Sequence, residues 1–250
     1  MLVDTHAHLN FSSYKDDADE VIRRSLDEGM EIINVGSQRT TSQRAVEMAE
    51  KYPDGVYAAI GLHPIHAAEE EFNPDKYREL ALSKKVVAIG EVGLDYKSEY
   101  ASFKEKQKEV FLKQLDLAGE LNLPLMIHCR QAHEDLIQTI KQLNNLTIRG
   151  VIHCFTGTWT QAEEYLKMGF YLGFNGIIFK LDLDEVVKKT PLDRILLETD
   201  CPYLTPKPME GRNEPLYVKY VAQKIAELKE ETFEKISEIT TENAKELFRI

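Results

Sequence analysis

The chain has 250 residues, of which 43% are hydrophobic, and a formal net charge of −11. This length suits one large α/β domain or two small ones, and the acidic charge excludes an overall basic field for unspecific binding of duplex nucleic acid. No apolar run reaches the roughly 18 residues of a membrane span, and no signal peptide is recognisable. Three widely spaced cysteines do not indicate a disulfide framework, so we expect a cytoplasmic protein without a membrane or obligate protein partner.

Short apolar runs of β-forming residues recur along the chain. They predict strands at 2–3, 32–35, 56–60, 86–89, 125–127, 150–152, 170–172 and 195–197. Helical periodicity fills most of the intervals, and two further helices are predicted at 215–228 and 231–248. This alternation predicts a single-domain (β/α)₈ TIM barrel covering residues 1–250. An open doubly wound sheet is the alternative, but the glycine-rich phosphate motifs that would support it are absent from the sequence.

Histidines and acids collect at the predicted carboxyl ends of the strands, where the active sites of such barrels lie. Residues i and i+2 of a strand share one face, so the pair in the opening segment "HAH" should enter the same space. Four imidazoles and two carboxylates at one barrel mouth predict a divalent-metal site, most simply with two ions. The predicted ligands are His6, His8, Glu91, His128, His153 and Asp200.

Each ligand taken alone has a plainer explanation. A single histidine at a strand end is commonly an ordinary hydrogen-bonded residue, and Glu91 could belong to a structural ion pair. Asp200 could simply cap the loop after the last strand, 201–215. The positions of the two acids favour a role as metal ligands. Glu91 lies beside the histidines, where it would bridge two ions, and Asp200 follows a buried apolar run, where a carboxylate needs a partner.

The cysteines and the two remaining histidines are predicted to lie outside the metal site. The three cysteines each follow a predicted ligand directly, so alternation along a strand should turn them toward the helices as core residues. These are Cys129, Cys154 and Cys201. His66 and His133 fall in helical or loop stretches and are expected at the surface.

Seven motifs occur in order from residue 4 to the C-terminal helices: DTHAHLN, GLHP, GEVGLDY, IHCR, IHCFTG, LGFNG and LLETDCPYLTPKP with RNEP. Together they resemble the TatD-type metal-dependent deoxyribonuclease family, one of the amidohydrolase-like metal barrels. The resemblance implies a (β/α)₈ barrel, a dinuclear site, and Mg²⁺-dependent hydrolysis of DNA, commonly from a strand end. It implies the same six ligands, contact of His63 with substrate or with a ligand, and contact of Arg130 with a phosphate.

Two positions refine what the resemblance implies. Many amidohydrolase barrels bridge their metals with a carboxylated lysine on the fourth strand, where this chain has Glu91, while Lys84 and Lys85 precede the strand. This favours a phosphodiesterase over a lactonase or phosphotriesterase. The loop 207–213 contains Glu210 and is less basic than the family's loop often is, which predicts weaker attraction of nucleic acid.

The predicted enzyme is therefore a divalent-metal-dependent phosphodiester hydrolase, of the deoxyribonuclease and exonuclease type, acting on DNA or another phosphodiester. Two ions (Mg, Mn or Zn) would hold a bridging hydroxide, Glu91 would set their separation and Asp200 would transfer the proton. His63 and Arg130 would bind the substrate. The alternatives are a small-molecule hydrolase acting on a cyclic amide, lactone or other ester, and a metal-binding barrel without catalysis.

Overall fold

A computed structural model of the chain describes residues 1–143 and 148–250. In these residues eight strands pair in parallel in the order β1 to β8. The strands are β1 Leu2–Ala7, β2 Met30–Val35, β3 Val56–Ile60, β4 Val86–Asp95, β5 Leu125–Arg130, β6 Gly150–Ile152, β7 Tyr171–Phe174 and β8 Ile195–Leu197. A parallel bridge joins Ala7, at the end of β1, to Cys201, four residues after the end of β8. The sheet is therefore a nearly closed barrel, which confirms the predicted (β/α)₈ fold; the alternative of an open doubly wound sheet is wrong.

Helices alternate with the strands. They are α1 Ala18–Asp27, α2 Arg39–Glu50, α3 Pro74–Leu80, α4 Lys104–Leu121, α5 His133–Lys141, α6 Trp159–Lys167, α7 Asp184–Lys189, α8 Val218–Lys229 and α9 Phe233–Phe248. The helix predicted at 215–228 begins with a 3₁₀ turn at Pro215–Tyr217 and becomes α-helical at Val218. None of the described helices combines the length and the apolar composition needed to cross a membrane.

The core has two parts because strand residues alternate between the helix layer and the barrel interior. In β5, Leu125 and Ile127 belong to the cluster that packs against the helices, whereas Met126 belongs to a second, interior cluster. Leu247 and Phe248 at the end of α9 pack into this interior cluster. The C-terminal helix therefore helps to fill the barrel, and the same alternation directs His128, two residues after Met126, toward the interior.

The fourth strand continues beyond the predicted end at residue 89, as far as Asp95. Buried Val92 and Leu94 extend its apolar pattern. Gly93 has a φ of +136° and passes so close to β5 that a Cβ there would lie 2.1 Å from the carbonyl oxygen of His128. Glycine is therefore required at this position, and the extension brings two carboxylates of β4 alongside β5.

Candidate metal and active site

A cavity of about 510 Å³ opens at the carboxyl ends of the strands. The structure brings all eight sequence-predicted site residues together there. Seven of them line the cavity: His8, His63, Glu91, His128, Arg130, His153 and Asp200. The eighth, His6, is fully buried, with its Nε2 atom 3.2 Å from Nε2 of His8.

Glu91 lies at the centre of the histidines. Its Oε1 atom is 2.8 Å from Nδ1 of His128, 3.2 Å from Nε2 of His63 and 3.4 Å from Nε2 of His153. Its Oε2 atom is 3.5 Å from Nε2 of His6. Burial opposes ionisation of Glu91, but the surrounding imidazoles outweigh it and hold the pKa of the carboxyl well below its usual value. Glu91 is therefore a buried carboxylate that faces several nitrogen donors at once.

Asp200 completes the side of the site that His6 and His8 occupy. Its Oδ1 atom is 3.3 Å from Nε2 of His8 and 4.0 Å from Nε2 of His6. The residue has a φ of +57°, and its backbone N–H donates to the carbonyl oxygen of His6. Burial raises its pKa, but a hydrogen bond to His8 and the charges of nearby histidines outweigh this and lower the pKa below the ordinary value.

Two of the imidazoles have a hydrogen-bond acceptor on the ring nitrogen that faces away from the cavity. His8 Nδ1 is 2.9 Å from the carbonyl oxygen of Val35, and His128 Nε2 is 3.0 Å from Oδ2 of Asp95. Nδ1 of His153 lies at an ion-pair distance of 3.1 Å from Oε1 of Glu198, but without the geometry of a hydrogen bond. A neutral imidazole that donates from its far nitrogen presents a lone pair on the near one, which is the usual arrangement of metal-binding histidines.

The donor set fits divalent metal ions. Among the described residues, His6, His8 and Glu91 form one group of donor atoms within 4.8 Å of one another, and Glu91 forms another with His63 and His128. With Asp95 as acceptor, neutral His128 would present a lone pair to the carboxylate of Glu91. Two acceptors 2.8 Å apart require a proton or a cation between them. The contacts of His128 with Asp95 and Glu91 outweigh the effect of burial and raise the pKa of its imidazole.

His63 differs from the other histidines. Its Nδ1 atom accepts a hydrogen bond of 3.2 Å from the backbone N–H of Ile65. Burial lowers the pKa of His63 to about 4, despite the nearby charge of Glu91. The neutral ring must then carry its proton on Nε2, so His63 is a hydrogen-bond donor to Glu91 or to a ligand in the cavity. Of the group formed by His63, Glu91 and His128, this leaves Glu91 and His128 as the possible metal ligands.

Arg130 lies at the cavity wall with 44% of its side chain exposed. Its Nε atom is 3.1 Å from Oδ1 of Asp95, and its Nη2 atom is 2.8 Å from Oδ2. Burial raises the pKa of Asp95, but His128 and Arg130 outweigh it and lower the pKa to about 2. One buried carboxylate thus orients both an imidazole and a guanidinium.

Sequence reasoning missed three buried carboxylic acids: Asp95, Glu198 and Asp4. Asp95 stands in the motif GEVGLDY, but a strand ending at residue 89 left it unassigned. Glu198 accepts hydrogen bonds from the backbone of Cys154 and from Asn175 as well as facing His153. Asp4 accepts from Thr199 and from the backbone of His6. The available signal was their adjacency to ligands within the same short motifs.

Two expectations about reactive residues need correction. Cys129 and Cys201 are buried, as predicted, but Cys154 is half-buried and lines the cavity. β6 ends at Ile152, so alternation along a strand does not apply at Cys154, whose φ is +45°. His133 is buried rather than exposed, with Nδ1 3.2 Å from the hydroxyl of Tyr165.

The loop after β8 reaches over the cavity and contributes Tyr203 and Leu204 to its lining. Asn213 is fully buried, and its Nδ2 donates to the carbonyl oxygens of Thr199, at 2.9 Å, and Tyr203, at 2.6 Å. Arg212 is paired with Asp17, with Nη1 2.9 Å from Oδ1. The loop is therefore anchored at both ends, and its arginine is held by an acid of its own chain.

The chain is similar in sequence and structure to proteins of one family. A model of the family described as "TatD related DNase" matches residues 3–249. An uncharacterized metal-dependent hydrolase, YabD, from Bacillus subtilis is 54% identical over the whole of both chains. The 3′-5′ ssDNA/RNA exonuclease TatD from Erwinia tasmaniensis is 35% identical, again over all of both chains. The crystal structure of YJJV, a TatD homologue from Escherichia coli, superposes with a TM-score of 0.92 at 29% identity, covering 100% of this chain and 98% of that one.

The family match covers nearly the whole chain, and the barrel and the buried histidines and carboxylates agree with it. The predicted resemblance is thereby confirmed. The chain belongs to the TatD-related DNase family of metal-dependent hydrolases.

Proposed function

We propose that this protein is a metal-dependent exonuclease that hydrolyses phosphodiester bonds at the end of single-stranded DNA or RNA. The observation that carries the proposal is the position of Glu91, shared by two groups of imidazoles on the floor of a cavity of about 510 Å³. This volume lies in the range of sites for one small ligand, which suits a strand end better than a duplex. The Erwinia relative is a 3′-5′ exonuclease, which supports removal from the 3′ end.

The proposed ligands form two sets, one on each side of Glu91. His6, His8 and Asp200 would hold one divalent ion together with Glu91, and His128 and His153 would hold the other. Imidazole and carboxylate ligands accept Mg²⁺, Mn²⁺ or Zn²⁺. When bound, such a pair of ions supplies Lewis-acid stabilisation of a phosphoryl oxygen and lowers the pKa of water toward about 7.

The chain's own residues have separate tasks in the reaction. Asp200, the least enclosed of the site carboxylates, would accept a proton from the attacking water and return it to the leaving oxygen. His63 donates from Nε2 to a phosphoryl oxygen, and Arg130 contributes its positive charge at the wall. Asp95 keeps both His128 and Arg130 in their orientations.

A small-molecule hydrolase remains the second candidate because of one observation. Arg130 is the sole Lys or Arg among the described residues that line the cavity, and the chain is acidic overall. A single cation gives little long-range attraction for a polyanion.

We propose that the enzyme acts in the cytoplasm as one barrel spanning residues 1–250, and that it binds short strand ends with a weak dependence on salt.

The decisive experiment offers both substrate classes to the same protein. Protein reconstituted with Mg²⁺ or Mn²⁺ is incubated with a 5′-labelled single-stranded oligonucleotide and, separately, with a panel of lactones and cyclic amides. A ladder of progressively shortened labelled products supports the exonuclease. Hydrolysis of the lactone or amide panel alone would establish the second candidate. Asp200→Asn should abolish the ladder, and Asp116→Asn, an exposed position on α4, should leave it unchanged.

A further inference from the structure

Two aromatic rings flank His8 at the wall of the cavity. Phe11 stacks on the imidazole with ring centroids 4.3 Å apart, and Tyr203 approaches it edge-on with centroids 6.5 Å apart. Both aromatic residues line the cavity. A phosphodiester group alone would gain little from an aromatic wall, because its favourable contacts are with charged and polar groups. The wall therefore points to an apolar, planar part of the ligand next to the scissile bond.

Tyr203 presents its ring to solvent while its backbone is held in place. It is 55% exposed, whereas large aromatic side chains are ordinarily buried. Its backbone N–H donates to the carbonyl oxygen of Asp200, and its own carbonyl accepts from Asn213. The exposed ring is thus tied to the backbone of a proposed metal ligand. Such preorganisation reduces the entropy cost of binding a flat group against the ring.

Leu204, the residue after Tyr203, holds the loop close to the connection that follows β7. The carbonyl oxygen of Leu204 packs so tightly against Gly176 that a Cβ at Gly176 would lie 1.7 Å from it. Leu204 and Ile177 also line the cavity and add aliphatic surface beside Tyr203. The apolar wall is therefore held between the loop after β8 and the connection that follows β7.

We propose that Tyr203, supported by Phe11, forms a stacking site for the nucleobase attached to the scissile phosphate. This inference rests on the proposed exonuclease function and names the residue that would determine its preference for single strands. Stacking accepts every base, because every base has a π-face, so sequence preference should be slight. A base paired within a duplex cannot present its face to Tyr203, and the site should therefore select unpaired ends.

The test compares two phosphomonoesters that differ only in the base. Thymidine 5′-monophosphate and 2-deoxyribose 5-phosphate are titrated into manganese-loaded protein by calorimetry, so the readout is binding and not turnover. Wild-type protein should bind the nucleotide on the order of tenfold more tightly than the sugar phosphate. Tyr203→Leu should lose this difference without weaker binding of the sugar phosphate, and Tyr203→Phe should retain it. Tyr220→Leu, on α8 and outside the cavity lining, is the matched control.

Equal affinity of the wild-type protein for the two compounds, or absence of nucleotide binding, would overturn the stacking site. The same conclusion follows if Tyr203→Leu weakens both compounds equally, because the ring would then serve the metal site and not the base. The same experiments distinguish failure of the stacking site from failure of the proposed exonuclease function. A protein that binds thymidine 5′-monophosphate through Tyr203 but leaves oligonucleotides intact has the base site without exonuclease activity.

Discussion

The Oδ2 atom of Asp95 lies 3.0 Å from Nε2 of His128, on the far side of the imidazole from Glu91. A carboxylate in this position selects the ring tautomer and strengthens the near nitrogen as a ligand. Because Asp95 comes from β4 and His128 from β5, the contact ties together the two strands that carry Glu91 and His128. We therefore expect Asp95 to influence metal binding by orienting His128, without being a ligand itself.

The first prediction is that Asp95→Asn weakens metal binding about 10- to 100-fold. An amide oxygen at the position of Oδ2 could keep the contacts with His128 and with Nη2 of Arg130, but it carries no negative charge, and the contact of Oδ1 with Nε of Arg130 would be lost. The neutral amide would therefore strengthen His128 less as a ligand. Calorimetric titration with Mn²⁺ measures the affinity, and Asp116→Asn on the exposed face of α4 is the control. An Asp95→Asn protein that binds Mn²⁺ like the wild type would show that the carboxylate is not needed to orient His128.

The second prediction concerns Asp200→Asn, which should lower kcat on bis(4-nitrophenyl) phosphate by about 10² to 10⁴. Asparagine tolerates the φ of +57° that this position requires, so the backbone should keep its shape. The melting temperature, followed by circular dichroism, should stay close to that of the wild type. Turnover at the wild-type rate would remove Asp200 from the proton transfer, and a collapsed melting temperature would instead indicate a structural role.

The third prediction uses His133, which is buried beside Tyr165 and has no hydrogen-bond partner for Nε2 among the described residues. Burial lowers its pKa from 6.5 to about 4. The unfolded chain therefore takes up a proton first as the pH falls, and stability decreases between about pH 6.5 and pH 4. The shift contributes at most about 3 kcal/mol to this loss.

His133→Asn removes the titrating group while keeping a polar atom near Tyr165. The decrease in the free energy of unfolding between about pH 7.5 and pH 4.5 should be smaller in this variant than in the wild type, since less proton uptake accompanies unfolding. Urea denaturation at the two pH values provides the comparison. His66→Asn is the matched control, because His66 lies in a 3₁₀ turn at the cavity rim with its ring partly exposed. Equal decreases in His133→Asn and wild type would contradict the assignment.

The barrel could be predicted from the sequence because its signal is local. Each short apolar run and each helical stripe is read within one element, and their alternation determines the class of fold. The length of β4 could not be predicted in this way. The continuous apolar run ends at residue 89, whereas in the barrel Gly90 and Gly93 allow the backbone of β4 to continue close beside β5. That misjudged boundary is also the reason why Asp95 was missed.

The convergence of these residues on one cavity could be predicted from their positions at strand ends, but their mutual arrangement could not. Which nitrogen of His153 faces the cavity depends on Glu198, which lies after β8. Similarly, the burial of His133 depends on Tyr165 of α6, and nothing in the segment QAHED reveals that contact. Such pairings join residues far apart in sequence, so they follow from packing and not from local pattern.

The last prediction is that Asn213→Ala destabilises the protein by about 2 to 3 kcal/mol. The fully buried amide of Asn213 satisfies the carbonyl oxygens of Thr199 and Tyr203, and alanine would leave both without a donor. Asn73→Ala removes an exposed asparagine that caps α3 and should cost only about 1 kcal/mol, measured by the same urea denaturation.

The amide of Asn213 also connects stability to the active site. Thr199 precedes Asp200 and Tyr203 follows it by three residues, so release of both carbonyls frees the segment that carries the proposed proton acceptor and the proposed stacking ring. Asn213→Ala should therefore lower kcat and remove the preference for thymidine 5′-monophosphate over 2-deoxyribose 5-phosphate, whereas Asn73→Ala should change neither. A variant that loses stability but keeps both properties would show that the loop is held over the cavity by other contacts, foremost the tight packing of Leu204 on Gly176.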